Sequence, residues 1–184
     1  VASWSGGNDY GREKPIFIKG KNQPSIDTTS REITASPDNI ITMSLDKHQN
    51  NITTKIAYKD GSQTKQHSCT IHNVPLQKWV NIIISIDTRV LDVYMNGKLV
   101  KTCIIEKPPE IGSSGDYKVY LTPAGGFTGE TSNFRFFKHS LNPQEAWNVY
   151  KAGFGSGLLS GLFNKYKLKV AFLKDDTEFN SFVI

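Results

Sequence analysis

The sequence predicts an all-β protein, built as two antiparallel sheets packed face to face, with one short helix and a C-terminal β-hairpin. Three observations predict it. Short alternating or β-branched runs recur from Ile40 onward, each closed by turn residues. The stretch Trp79 to Ile105 reads as three strands in a row, and its Asn96-Gly97 pair suits the positive φ of a type I′ hairpin turn. One stretch alone, Pro143 to Lys151, carries helix signals at both ends.

The elements follow in order. Val1 to Pro15 is Gly-rich and polar, a loop. Ile16–Gly20 is a short strand. Lys21 to Asn39 holds Pro24 and Pro37 and reads as a long loop, with a short strand near Arg31–Thr34. Ile41–Leu45 and Ile52–Tyr58 alternate, Asp60-Gly61 marks a turn, and Gln66–Val74 is a strand ended by Pro75.

The Asn96-Gly97 turn fixes a register. Tyr94 is expected opposite Leu99, Val93 opposite Val100, and Asp92 opposite Lys101, the last as an ion pair of modest value. With Thr88-Arg89 in an even-length turn, Ile82, Ile84 and Ile86 fall opposite Met95, Val93 and Leu91. One face then carries these residues and Val100. The other carries Trp79, Asn81, Ile83, Ser85, Tyr94 and Cys103 and is mixed. A sheet with one apolar face packs against a second sheet.

Tyr117–Leu121 and Thr131–Lys138 are further strands. The helix over 143–152 has Asn142 as N-cap, Pro143 at its first position and Glu145 placed for a capping box. Leu141 and Ala146 suit the hydrophobic staple, and Gly153 supplies the stop. Beyond it GFGSGLLSGLF is a Gly-rich crossing. KLKVAFL and TEFNSFVI then form a hairpin around Lys174-Asp175-Asp176.

A chain of 184 residues, 38% hydrophobic and 21% charged, can bury a real core as one domain. No run approaches the length of a membrane span, so the segment is expected to be soluble. It opens on Val1 rather than Met, which leaves a signal peptide or membrane anchor upstream as an open expectation. The net charge of +5 is spread among acids with no basic run, so a nucleic-acid partner is not expected. The two cysteines, Cys69 and Cys103, admit two readings: small core residues, or a disulfide across neighbouring strands that implies an oxidising compartment or late oxidation.

The segment WVNIIISID with LDVYMNGKLV resembles the paired strands of laminin-G-like, concanavalin A-like domains. The likeness continues through Phe127, Gly129, Phe136, Leu141 and Glu145, where the family has its last core strand and a short helix. It covers Ile40 to Gly153 well and the first forty residues poorly. The wording VPLQKWVNIIISI and the tail GLFNKYKLKVAFLKDDTEFNSF are most similar to the versions encoded by large DNA viruses of algae and protists. The resemblance implies a jelly-roll sandwich over 1–153, loop-rich over 1–39, followed by the crossing and hairpin of 154–184. It implies a non-enzymatic structural role as a minor capsid or virion-associated protein, partnered by other virion proteins. The alternative is a carbohydrate-binding lectin module for surface attachment.

Few residues offer chemistry beyond this reading. Glucanases of the fold need carboxylates alternating on one strand. No strand here has them, and Asp175, Asp176 and Glu178 read as a solvated turn, so no enzyme activity is expected. His67 and Cys69 lie two apart, half of a zinc pattern without its second half. Asp9, Asp38 and Asp116 are loop acids of the kind calcium takes, but no spacing joins them, so neither metal nor cofactor is expected.

Trp79, Asn81 and Tyr94 are the candidate glycan platform, weighed against a Trp79 that simply packs under a loop or helix. Asn51-Ile52-Thr53 is a glycosylation sequon. The apolar row Leu168, Val170, Phe172, Phe179 and Phe182 of the tail hairpin needs burial, against its own domain or against a neighbouring subunit by strand addition.

Overall fold

The computed structural model describes residues 10–33, 39–109 and 117–153, with the backbone alone of 169–174 and 177–183. Its strands are β1 (Lys14–Gly20), β2 (Asn39–Leu45), β3 (Ile52–Asp60), β4 (Gln63–Ile71), β5 (Ile82–Asp87), β6 (Val90–Met95), β7 (Lys98–Ile104) and β8 (Lys118–Leu121). The helix α1 (Pro143–Lys151) precedes β9 (Lys169–Lys174) and β10 (Thr177–Val183). One sheet runs in the order β4-β3-β2-β1-β8, a second in the order β5-β6-β7, and β9 pairs with β10. All the pairings are antiparallel.

The core lies between the first two sheets. Met43, Ile52, Ile56, Cys69 and Ile71 come from the larger sheet, and Leu91 and Val93 meet them from the smaller. Ile56, Leu91, Val93 and Ile105 are sealed from solvent. Burial of each such side chain stabilises by about 1.5–3 kcal/mol. A smaller cluster sits on the other face of the larger sheet. Ile18 and Ile40 are buried there, and the isolated Ile26–Ile33 bridge lies in the loop that follows β1. That bridge stands where a short strand near Arg31–Thr34 was expected. Glu13 ties this loop down: its carboxylate accepts from the Ile33 amide at 2.9 Å, the Ser44 hydroxyl at 2.6 Å and the Lys55 ammonium at 3.1 Å.

The β5–β6 register is the expected one, with Ile82, Ile84 and Ile86 opposite Met95, Val93 and Leu91. The β6–β7 register is expected only at Tyr94–Leu99. A bulge follows, so Val93 lies opposite Lys101 and Asp92 opposite Thr102. Three expectations are thereby corrected. Val100 is the extra residue and is 41% exposed instead of joining the core face. Asp92 accepts from the Thr102 hydroxyl at 2.6 Å instead of pairing with Lys101. Cys103 turns to the core face, where it is bonded to Cys69. An inserted residue re-aims every side chain beyond it. The bond therefore joins β4 to β7, strands of opposite sheets, with Cα atoms 6.0 Å apart.

The helix matches its signals. Asn142 accepts from the Glu145 amide, Glu145 accepts in turn from the Asn142 amide, both at 2.9 Å, and Leu141 and Ala146 are buried. Thr131–Lys138 is a further correction. It forms no ladder, and Phe134 and Phe136 are 47% and 61% exposed. Its run of aromatics carries strand propensity, but propensity without a ladder partner makes no strand. The tail hairpin forms as expected in backbone register, Phe182 opposite Val170. Leu168 and the side chains of Val170, Phe172, Phe179 and Phe182 lie outside the described residues, as do Asp9, Asp38, Asp116, Asp175 and Asp176.

Candidate functional site

Antiparallel pairing brings the β2–β3 turn and the loop after β4 to the same end of the larger sheet. The turn is built by Asp46, whose carboxylate accepts from the backbone amides of His48 at 2.8 Å and Gln49 at 3.1 Å. Burial works against the charge of Asp46, but these two amides, with His48 and Lys14, hold its carboxyl below the usual range. The loop is laced to the turn. The Val74 amide donates to the Asn50 carbonyl at 2.7 Å, and the Asn50 side-chain amide returns a bond to the Val74 carbonyl at 3.1 Å. Asn73 takes a left-handed conformation, φ 56°, and its amide donates to the Asn51 side chain at 3.2 Å.

A third piece closes the arrangement. The Gly11 amide donates to the Lys47 carbonyl at 3.0 Å, and the buried Lys14 ammonium donates to the Arg12 carbonyl at 2.9 Å. These bonds seat Tyr10 beside His48, edge to face, with ring centroids 4.9 Å apart. The three pieces enclose a cleft of about 920 Å³, lined by Tyr10, His48, Asn50, Asn51, His72 and Asn73 among others. Carboxamides, imidazoles and a phenol ring that is 58% exposed are the groups that read hydroxyls and stack on a sugar face. No carboxylate lines the cleft among the described residues.

The expected platform is not assembled. Tyr94 is 1% exposed, beneath the turn on which Trp147 and Tyr150 of α1 rest, and its hydroxyl is pushed up by burial and by Asp92. Ser85, on the same face, both donates to and accepts from the Leu141 backbone. The mixed face is thus the seat of the helix, which a strand-by-strand reading does not reveal. Trp79 and Asn81 instead line a second cavity at the edge of β5. The sequence signals for the cleft were HQNN at 48–51, HN at 72–73 and Tyr10, short polar stretches whose adjacency depends on strand pairing. Asn51 of the sequon is 6% exposed, and its side-chain amide donates to Gln49 at 2.7 Å, so the folded chain does not present it.

Cys69 is committed to sulfur–sulfur bonding, which removes it from any zinc set with His67. Among the described residues no three of His, Cys, Asp or Glu converge as a metal site would need. Glu13 is the buried carboxylate, and its oxygens are taken by Ser44, Ile33 and Lys55. Among the described residues no helix is long and apolar enough to cross a membrane.

The match to a family model agrees with the architecture. The family described as the concanavalin A-like lectin/glucanases superfamily, in its laminin G form, matches residues 8–146. No curated protein matches. Among solved structures, residues 221–444 of an S-layer domain-containing protein from Clostridium thermocellum are similar at 16% identity. That match covers 82% of this chain and 68% of the other, with a TM-score of 0.35.

Proposed function

The chain belongs to the concanavalin A-like lectin/glucanases superfamily, and from that premise we propose that it is a non-enzymatic recognition module that binds carbohydrate in the cleft beside Tyr10. The cleft carries this reading: a stackable ring, two imidazoles and the carboxamides of Gln49, Asn50 and Asn73 line it, on backbone locked by hydrogen bonds. Preorganised polar groups around an aromatic face suit hydroxyl-rich ligands. Hydrolysis of a glycosidic bond needs a pair of carboxyl groups about 5–10 Å apart, and the cleft offers none among its described lining. The test is a glycan array with purified protein, followed by titration of any hit. Tyr10→Ala should weaken binding about fivefold, as one stacking contact is worth about 1 kcal/mol, with the melting temperature unchanged. An empty array, or a hit that ignores Tyr10→Ala, overturns the reading.

A second reading is favoured by a different surface. Leu99, Val100 and Ile104 of β7, with Val90 beside them, are 38–65% exposed, an apolar row on an edge strand. Such rows mark contacts with other proteins. Together with the resemblance to proteins of large DNA viruses, this supports a place in a virion surface or minor capsid layer. Ile104→Lys, or deletion of 165–184 with the sandwich still folded, should abolish incorporation into particles. Normal incorporation of both variants removes this reading.

A further inference from the structure

The smaller sheet ends at β7. Its outward face is divided. α1 rests on the Gly97 turn and the Leu141 backbone bonds Ser85, so the half of the face toward β5 is covered. The half along β7 is open. Leu99 lies opposite Tyr94 and Ile104 opposite Val90, which sets both on this face, 50% and 65% exposed. The bulge adds Val100 beside them. Single exposed aliphatic residues are ordinary, but a row of them along one strand marks a contact site. The same bulge, with the exposed Lys98 and Lys101, guards the strand against plain edge pairing. An occupant therefore meets the row through side chains and meets two ammonium groups with it. Among the described residues neither lysine makes an ion pair.

The chain carries a segment of matching chemistry. β9 and β10 form a sheet of two strands that pairs with neither sheet of the sandwich, and an isolated two-stranded hairpin is marginal in water. Asp175 and Asp176 join its strands, and β10 continues through Glu178 to Phe179 and Phe182. Acids followed by apolar residues complement Lys98 and Lys101 set among Leu99, Val100 and Ile104. Within one chain the row stays exposed while the hairpin pairs only with itself, so each is left to another copy.

We propose that the open β7 face is the seat of the β9–β10 hairpin of a second copy of this chain, with its acids on Lys98 and Lys101 and its apolar residues on the row. This rests on the reading of the row as a protein contact and names the partner. Row and hairpin are different surfaces, so copies either exchange hairpins in a closed pair or pass them along an open series. The test is sedimentation of the intact chain from micromolar to millimolar concentration. Mass should rise to a dimer or beyond. Ile104→Lys should shift half-association upward by about tenfold, the value of one buried aliphatic side chain. Mixing gives the sharper readout. One variant carries Lys98→Glu with Lys101→Glu, the other Asp175→Lys with Asp176→Lys. Each alone should stay monomeric, since acid then meets acid or lysine meets lysine. An equimolar mixture should associate, because the intact row of the second takes the intact hairpin of the first. Melting curves matching the parent's show that every variant folds. Three results overturn the proposal: a parent that is monomeric throughout, as a hairpin closed on its own row would be; association that ignores Ile104→Lys; or a mixture no larger than its parts. If the parent is monomeric and Ile104→Lys still blocks incorporation into particles, the row serves a different protein, and this occupant alone is refuted.

Discussion

Gly97 gives the sharpest test of the architecture, because two demands meet on one residue. It sits in the hairpin turn at φ +74°, a conformation in which an L side chain is strained. It also lies under α1. A methyl group there would fall 2.7 Å from Cε3 of Trp147 and 3.0 Å from Cβ and Cδ1 of Tyr150. The Gly97→Ala substitution therefore carries a backbone cost of about 1–2 kcal/mol and an overpacking cost of about 1–3 kcal/mol. A combined loss of about 3 kcal/mol, of a total near 5–15 kcal/mol, lowers the melting temperature by roughly 6–12 °C. Urea denaturation followed by far-ultraviolet circular dichroism reads the loss. The decisive arm is a double-mutant cycle. In a Trp147→Ala background the clash with Cε3 is gone, so the cost of Gly97→Ala should fall by about 1 kcal/mol or more. An equal cost in both backgrounds would mean that α1 does not rest on the turn, and the account of the covered Tyr94 face would fail with it.

Further predictions follow from the same geometry. Replacing Cys69 and Cys103 together by Ala removes a link across 34 residues of sequence separation, worth about 3.8 kcal/mol in chain entropy; an unchanged urea midpoint would refute it. Asp60 is held down to about 2 by hydrogen bonds from Lys107 and Lys65, each at 2.5 Å, and by their charges. Its folded pKa lies below the unfolded value near ~3.9, so its contribution is whole above about pH 4 and fades as pH falls toward 2. The stability difference between the parent and Asp60→Asn should shrink over that window and also with added salt. Asn142→Ala removes the acceptor of the Glu145 amide and should cost about 1 kcal/mol, with fraying confined to the first turn of α1 by hydrogen exchange.

Local chemistry made much of this fold legible. Asn96-Gly97, Thr88-Arg89 and the Asn142–Glu145 box each act over a few residues, and the β5–β6 register and helix ends follow from them. The bulge at Val100 was hidden because an apolar residue in strict alternation reads as core. Its displacement decided where Cys103 points, and so a disulfide that local pattern left open. Thr131–Lys138 misled for the opposite reason: its side chains have strand character, but the hydrogen-bonding partner that would make them a strand is a property of the whole sheet. The cleft was illegible as a site because Tyr10, His48 and His72 are far apart in the chain and meet only through the β2–β3–β4 pairing.

The sulfur bridge between β4 and β7 grips one margin of the sandwich and leaves the margin at β5 and β8 to weaker forces. Thermal breathing must then be lopsided, like a book that opens only away from its binding. Cleavage of the bridge by a thiol would free the bound margin as well, so the same chain should be stiffer outside a cell than in a reducing cytosol. Where it is oxidised would decide how readily the far margin admits anything at all.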